Sequence, residues 1–404
     1  MIQLKDICDI YDCPHTTAKD EGKGYPLVRT PNVGKGRLIL NGIHRVSEDV
    51  YNSRNARAIP EEGDLILARE APVGNVSVIM PGQHVCLGQR VVLIKPRKTL
   101  VDPHYLTYYL LSAEVQHRLK NHANGAVVAH LNVSDIRNLL VTLPELDEQV
   151  AIGKILRSID DKIELNRQIN DNLEQQAQAL YKSWFIDFEP FSEEEFIESS
   201  LGLIPAGWKV GQLSDICEIV GGGTPSKSHP EYYCSSGIAW ITPKDLSVSK
   251  SKFSSRGSED ITEEGYKNSS AKLMPRGTVL FSSRAPIGYI SIATNEICTN
   301  QGFKSAIPGI AGTGYLYYFL QANTDKIESK ASGSTFKEAS GSLMKSLEVI
   351  IPADGIFNQF EAELAPILTK QENIATEIQT LTTLRDTLLP KLMSGELKIN
   401  EIDC

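Results

Sequence analysis

The sequence predicts an α+β fold written twice: two similar globular domains in pseudo-two-fold tandem, joined by two long helices packed on each other as an antiparallel coiled coil. Three observations predict it. The chain repeats itself at an offset of about 210 residues, two stretches carry a sustained heptad spacing, and the excess of acidic residues falls on those stretches. The expected boundaries are 1–145 for the first domain, 146–190 for a central spacer helix, 191–352 for the second domain and 353–404 for a second helix and tail. With 404 residues, 41% of them hydrophobic, there is mass for two or three domains.

The duplication comes first, because a repeat dictates architecture. QLKDICDI at 3–10 returns as QLSDICEI at 212–219, and RTPN at 29–32 as ITPK at 241–244. GDLILAREAPVGNVSVI at 63–79 returns as GTVLFSSRAPIGYISIA at 277–293, and CLGQ at 86–89 as CTNQ at 298–301. YLTYYL at 105–110 matches YLYYFL at 315–320, and residues 124–144 match 332–352. The blocks keep one order with small changes of offset, which chance similarity does not produce.

Within each repeat, β-rich runs follow glycine turns at 64–68 and 278–282, and follow Pro-x-Gly turns at 75–79 and 289–293. These read as short strands. The tyrosine-rich runs at 105–111 and 315–320 have helical spacing and read as core helices. Each repeat is an α+β domain of ordinary size.

The segments behind the repeats differ in kind. From Ile152 through Leu156, Ile159, Ile163, Asn166, Asn170, Leu173, Ala177 and Leu180 to Trp184 the spacing alternates four and three, the seam of a coiled coil. Phe360, Leu364, Ile367, Gln371, Ile374, Ile378 and Leu381 follow the same rule, continued by Leu384 and Leu388. Helices with so narrow a stripe need a partner, and the simplest partner is the other helix, antiparallel. Asn166, Asn170 and Gln371 would weaken the pair while fixing its register. Pro366 argues for a later start or a kink.

Charge and cysteine usage bound the function. The net charge is -9, split as +2 for 1–145, -8 for 146–200, +2 for 201–352 and -5 for 353–404, so the two domains are weakly basic within an acidic chain. Seven scattered cysteines form no C-x-x-C pair, so Cys8, Cys13 and His15 read as buried thiols and a loop histidine rather than a metal cluster. The charged start, MIQLKDICDI, is unlike a secretory leader, and no apolar run reaches the ~18 residues of a membrane span. A soluble intracellular protein is expected.

Several motifs together resemble the specificity (S) subunits of Type I restriction-modification systems. LPELDEQ at 143–149 looks like that family's entry into the first central helix, and LYKSWFIDF at 180–188 like its exit. GLIPAGW at 202–208 looks like the doorway to the second target-recognition domain, GGGTP at 221–225 with WITPKDL at 240–246 like its opening, and LPKLMSGEL at 389–397 like the terminal signature. The resemblance implies two target-recognition domains that each read one half of a bipartite, asymmetric double-stranded DNA site, with the helices setting the gap. It implies two modification (methyltransferase) subunits and restriction subunits as partners. S-adenosylmethionine, and ATP with Mg for restriction, would be held by those partners, with no cofactor in this chain. A prokaryotic, cytoplasmic setting follows from the same resemblance. The sequence contains no Asn-Pro-Pro-Tyr/Phe methyltransferase signature and no phosphate loop, so no catalytic residue and no metal ligand is assigned.

Candidate DNA contacts are polar residues at strand-to-loop edges. Arg69 and Arg284 precede Ala-Pro-x-Gly turns, offset by one residue; each suits guanine O6/N7 or phosphate, against an ion pair with Glu62 or Glu70 in the first copy. Thr30, Asn32, Thr242, Lys244 and Asp245 follow strands and suit base edges or a capped turn. Gln89 and Arg90 match the loop of Asn300 and Gln301. Ser283, Ser334, Thr335 and Lys337 belong to hydroxyl-rich and basic loops, with His130 at the matching place in the first copy. Lys35 and Arg37 flank Gly36 in a basic loop suited to phosphate. The tyrosine runs read as core, and Gly221–Gly223 as a turn rather than a nucleotide cradle. Two other readings stand beside this one: a scaffold whose two domains bind proteins, which the acidic net charge fits slightly better, and a hydrolase built on Ser282-Ser283-Arg284 or Cys13-Pro-His15, which lacks an oriented base.

Overall fold

The computed structural model describes residues 1–122, 130–284, 286–333 and 337–399. The chain divides into two compact units, one made of Met1–Leu165 with Ile378–Cys404 and the other of Asn166–Glu377.

In the first unit the strands are β1 (Ile2–Gln3), β2 (Cys8–Asp12), β3 (Tyr25–Val28), β4 (Gly36–Arg37), β5 (Arg45–Val46), β6 (Leu65–Ala68), β7 (Val76–Val78), β8 (Cys86–Leu87), β9 (Val91–Pro96) and β10 (Leu140–Val141). They form a five-stranded sheet in the order β2-β9-β6-β7-β4, a smaller sheet β5-β3-β8 and the pair β1-β10.

The second unit adds β11 (Phe196–Ser199), β12 (Gly202–Pro205), β13 (Lys209–Gln212), β14 (Cys217–Gly221), β15 (Tyr233–Cys234), β16 (Ile238–Ile241), β17 (Phe253–Ser254), β18 (Glu259–Ile261), β19 (Val279–Ser283), β20 (Ile287–Ala293), β21 (Cys298–Thr299), β22 (Lys304–Pro308) and β23 (Glu348–Ile351). Its five-stranded sheet runs β14-β22-β19-β20-β17, beside β15-β18-β16-β21 and the pair β13-β23. The two orders are the same order. Even the parallel pairings recur, β3 with β8 as β16 with β21, and β4 with β7 as β17 with β20. The duplication seen in sequence is therefore a duplication of topology.

The strands are apolar on both faces because both faces are covered. Leu65 and Leu67 face a core shared with Tyr105, Leu106 and Leu110, whereas Ile66 and Ala68 face Val28, Leu87 and Val91. In the second unit Val279 and Phe281 face Tyr315, Leu316 and Leu320, and Leu280 faces Ile241 and Phe303. A strand with period-two alternation buried on each side reads as a continuous apolar run. The tyrosine-rich runs lie on helices Pro103–Leu111 and Thr313–Ala322, with Tyr105, Tyr108, Tyr109, Tyr315, Tyr317, Tyr318 and Phe319 buried.

The central helix spans Leu146–Phe185 and the terminal helix Ile356–Ser394. In the first unit Ile152 and Leu156 share a core with Leu392, and Asp160 pairs with Arg385 at 2.8 Å. In the second unit Glu174 bonds Gln371, and Tyr181, Trp184 and Phe185 meet Phe360. Rising numbers on one helix meet falling numbers on the other, so the pair is antiparallel within each unit. Of the seam residues, Ile152, Leu156, Ile159, Ile163, Leu364 and Ile374 are buried, and Leu173, Leu180, Ile367, Ile378 and Leu381 are half-buried. Asn166 is buried on this seam, and among the described residues its Nδ2 has no hydrogen-bond partner.

Three details differ from expectation. The helices are not a separate stalk: each unit absorbs half of each helix into its own core. Pro366 neither delays nor ends the terminal helix, because Phe360, Leu364 and Gln371 anchor the turns on either side of it at full burial. The seam continues through Arg385, Leu388 and Leu392, while Leu384 is 45% exposed. An apolar rule selects leucine and passes over an arginine that has a buried carboxylate to meet. The GLIPAGW segment supplies β12, the second strand of the hairpin β11-β12, and its Trp208 meets Phe188 and Phe191 edge-on.

Candidate nucleic-acid interface

In the second unit three separate segments converge on one cleft of about 510 Å3. It is lined by Thr242 and Lys244 after β16, Arg284 after β19, and Asn300 and Gln301 after β21, five side chains singled out in the sequence. The register of the two sheets brings them together: β16 and β21 are parallel neighbours, so the loops leaving both emerge on the same edge. Thr224, Lys227 and Glu259 also line it and escaped the sequence reading. Lys227 sits 4.4 Å above the Tyr233 ring and 3.5 Å from Glu259.

Local bonds hold the cleft open. The Thr242 N–H and hydroxyl both donate to Asp245 Oδ2, at 2.8 and 2.7 Å, and Ser258 N–H donates to Asp245 Oδ1 at 3.0 Å. Burial alone would raise this carboxyl, but the bonds from Thr242 and Ser258 hold it below the usual carboxylate range. Asp245 is thus the third residue of helix Pro243–Ser249, its carboxylate closing back on the N-cap Thr242, with both oxygens in use. Asn300 Oδ1 accepts from Gly302 N–H at 2.9 Å, and the Thr224 hydroxyl donates to Gln301 Oε1. Gly222 packs against the carbonyls of Thr299 and Asn300 so closely that a β-carbon would not fit, and Gly223 N–H donates to Thr299 O at 2.9 Å, so the GGGTP backbone is laid against the loop after β21 and is not the turn expected. Lys244 and Lys337 are exposed, and Arg284 lies 3.6 Å from Glu338. Ser283 is fully buried. Ser334 and Thr335 lie outside the described residues.

The first unit uses the corresponding loops differently. Thr30–Asn32 is a 3-10 turn in which Asn32 Oδ1 accepts from Arg29 N–H and Nδ2 donates to Ile39 O, which makes Asn32 a buried turn cap. Thr30 is buried with it. The Thr17 hydroxyl donates to Gln89 Oε1 at 3.1 Å, the same bond that Thr224 makes to Gln301, and Gln89 Nε2 donates to the His15 carbonyl. Lys35 is exposed, and Arg37 pairs with Asp161 of the central helix.

Arg69 is only 7% exposed: its Nε donates to Leu131 O, Nη1 to Asp12 at 2.8 Å, and Nη2 to His130 Nε2 at 2.6 Å. Its guanidinium is spent inside the domain and does not present a fork to DNA. Because an arginine cannot accept a hydrogen bond, His130 Nε2 must be the acceptor, and the ring proton sits on Nδ1, facing Glu70 Oε1 at 2.6 Å. Arg90, in contrast, is exposed and binds the other Glu70 oxygen through Nε at 3.0 Å. Cys8 and Cys13 are buried thiols, burial pushing Cys8 up to about 12.

Arg69 and Arg284 are not equivalent residues. Arg69 N–H donates to Arg90 O and Leu131 N–H to Arg69 O in the first unit; Ser283 N–H donates to Gly302 O and Ala339 N–H to Ser283 O in the second. The two sets of bonds pair Arg69 with Ser283, Glu70 with Arg284, Arg90 with Gly302 and His130 with Glu338. One residue of slip on a strand turns a side chain to the opposite face, which is why one arginine points in and the other lines the cleft.

The chain matches the Type I restriction modification DNA specificity domain over residues 1–175 and again over 205–388. A relative 44% identical over 165 residues, the Type I restriction enzyme MjaIX specificity subunit of Methanocaldococcus jannaschii, aligns with 40% of this chain and 38% of that protein. The Type I restriction enzyme HindI specificity subunit of Haemophilus influenzae is 26% identical over 408 aligned positions, covering 85% of this chain and 88% of that one. The crystal structure of a Type-I restriction-modification system S subunit from M. genitalium shares the fold, with a TM-score of 0.66 at 14% identity over 97% of this chain and 95% of that one. The domain match falls once on each copy of the repeat, and the chain belongs to the family of Type I restriction-modification specificity subunits.

Proposed function

We propose that each globular domain reads one half of a bipartite, asymmetric double-stranded DNA site, that the paired helices set the unread gap, and that the chain docks two modification subunits and, where present, restriction subunits. The family is one of non-catalytic specificity subunits, so catalysis belongs to those partners. S-adenosylmethionine, and ATP with Mg for restriction, would be bound there, in the cytoplasm of a prokaryote. Among the described residues no helix is long and apolar enough to cross a membrane.

The observation that carries the reading is the cleft of the second unit, where Lys244, Arg284, Asn300 and Gln301 arrive from three loops. Arginine, asparagine and glutamine are the side chains that address guanine and adenine in the major groove, and lysine suits phosphate. In the first unit the exposed candidates are Lys35 and Arg90, with Gln89 half-exposed beside them; Arg69, Asn32 and Asp245 hold the loops of their domains from within, and Thr30 and Ser283 are buried. The central helix supports the spacer role: 40 continuous residues at ~1.5 Å per residue run ~60 Å, more than the ~34 Å between half-sites one helical turn apart. The acidic helical segments would be repelled by phosphate and suit basic protein partners.

A domain with a net charge of +2 releases few counterions, so the isolated chain should bind duplex weakly and lose that binding as salt rises. Deleting the chain from cells and mapping methylated adenine across the genome tests the reading. A split, asymmetric motif should disappear; its persistence would overturn the assignment.

A further inference from the structure

Resting on that reading, we infer that the two domains present one guanidinium probe in two different ways, and that Glu70 is the residue that positions it in the first domain. The backbone bonds that pair Glu70 with Arg284 and His130 with Glu338 expose an exchange of polarity at one site. In the second domain the strand-end residue is itself the cation: Arg284 lines the cleft, 37% exposed, with Glu338 beside it. In the first domain the strand-end residue is the carboxylate Glu70, and the cation comes from the next loop, Arg90, at the place of Gly302.

Glu70 is 13% exposed and both its oxygens are engaged, Oε1 by His130 Nδ1–H and Oε2 by Arg90 Nε. Binding through Nε leaves both Nη groups of Arg90 for an end-on fork onto guanine O6 and N7, and the side chain is 62% exposed. Arg90 also has φ 63°, a left-handed backbone that a non-glycine residue adopts only when its surroundings hold it there. Arg69 supplies that hold: its N–H binds the Arg90 carbonyl, its side chain fixes Asp12, and it orients His130, which in turn orients Glu70. Arg69 and His130 are thus positioning residues behind Glu70, and Arg90 is the reader.

The test maps N6-methyladenine genome-wide in cells carrying the modification partner with wild-type chain, no chain, R90A, E70A, R284A, or the triple variant E70R/R90G/H130E, which installs the residues found at the second domain's site. Thermal unfolding of each purified full-length chain checks that it folds. R90A should relax one G·C pair in one half of the motif, on the order of ten-fold in discrimination, and E70A should relax the same pair. R284A should relax a pair in the other half, and the triple variant should restore what R90A loses. Equal loss of methylation at every site, which a phosphate contact or a merely structural role would give, overturns the inference, as does an unchanged motif in R90A or E70A. If the motif vanishes without the chain but ignores R90A, only this inference falls. If it survives without the chain, the underlying reading falls too.

Discussion

Lys252 is a buried cation whose removal should cost the second unit heavily. It stands just before β17, 9% exposed at its side chain, and its ammonium donates to Glu174 at 2.6 Å, to Gln371 Oε1 at 2.8 Å and to the Tyr318 hydroxyl at 2.5 Å. It lies 4.6 Å above the rings of Tyr317 and Tyr318. One cation thereby ties the five-stranded sheet, the tyrosine helix and both long helices together. Burial lowers the Lys252 ammonium below the usual lysine range, partly offset by Glu174; burial would raise Glu174, but the charge and bonds of Lys252 and the bond from Gln371 hold it below the usual carboxylate range. Removing one member of a buried pair costs about 3–5 kcal/mol, because the other charge is stranded. In K252M the Glu174 carboxylate keeps Gln371 and Tyr318 as donors and is partly solvated, which places the loss near ~3 kcal/mol. For a unit of this size that is a fall in Tm of about 6–12 °C. All three tryptophans, Trp184, Trp208 and Trp240, lie in Asn166–Glu377, so tryptophan fluorescence reports this unit selectively. The double variant K252M/E174L should recover a large part of the loss, since both charges leave together. A fall under 1 kcal/mol in K252M, or strict additivity in the double variant, would refute the reasoning.

Three further substitutions test single positions. Among the described residues the Ser283 hydroxyl has no partner, so S283A should be neutral or stabilising by up to about 1 kcal/mol, with the methylation motif unchanged; a loss on fluorescence-monitored urea unfolding would contradict its placement. Burial raises the Glu361 carboxyl, against the bonds it accepts from Tyr315 and Gly314 N–H, so its contribution is fully present below the ordinary carboxylate range and lost as pH rises through the raised folded value. E361Q does not titrate but keeps only one of the two acceptor oxygens, so its stability relative to the wild type should shift in its favour from pH 4 to pH 7, and a difference that stays the same at both pH values would count against this. P366A restores an N–H to a helix interior and should raise the Tm of the second unit, by about 1–3 kcal/mol in stability; an unchanged or lowered Tm would contradict this.

Much of the fold was legible because repetition and periodicity survive in sequence. Six blocks in one order predicted one topology twice, and the strands at 64–68 and 278–282 were readable because both faces of a central strand are apolar. The direction of a polar side chain was not legible. Arg69 and Arg284 look alike before their Ala-Pro-x-Gly turns, yet one residue of slip sends the first inward to Asp12 and leaves the second on the cleft. Asn32 and Asp245 are residue types equally suited to a base edge and to a turn, and hydrogen bonds to backbone N–H groups decide for the turn. Arg385 shows the same limit on a helix: the four-three spacing reaches it, but only the buried Asp160 opposite explains a cation on an apolar seam. The Thr17–Gln89 and Thr224–Gln301 bonds had a faint signal, a threonine shortly after the first long strand of each copy.

Exchange of residues 201–352 for the corresponding segment of a relative with a different motif, read by genome-wide methylated-adenine mapping, tests most directly the claim that each domain reads by itself. One half of the motif and its gap should stay as they are while the other half changes to the donor's sequence. A motif altered in both halves, or in neither, would contradict the account.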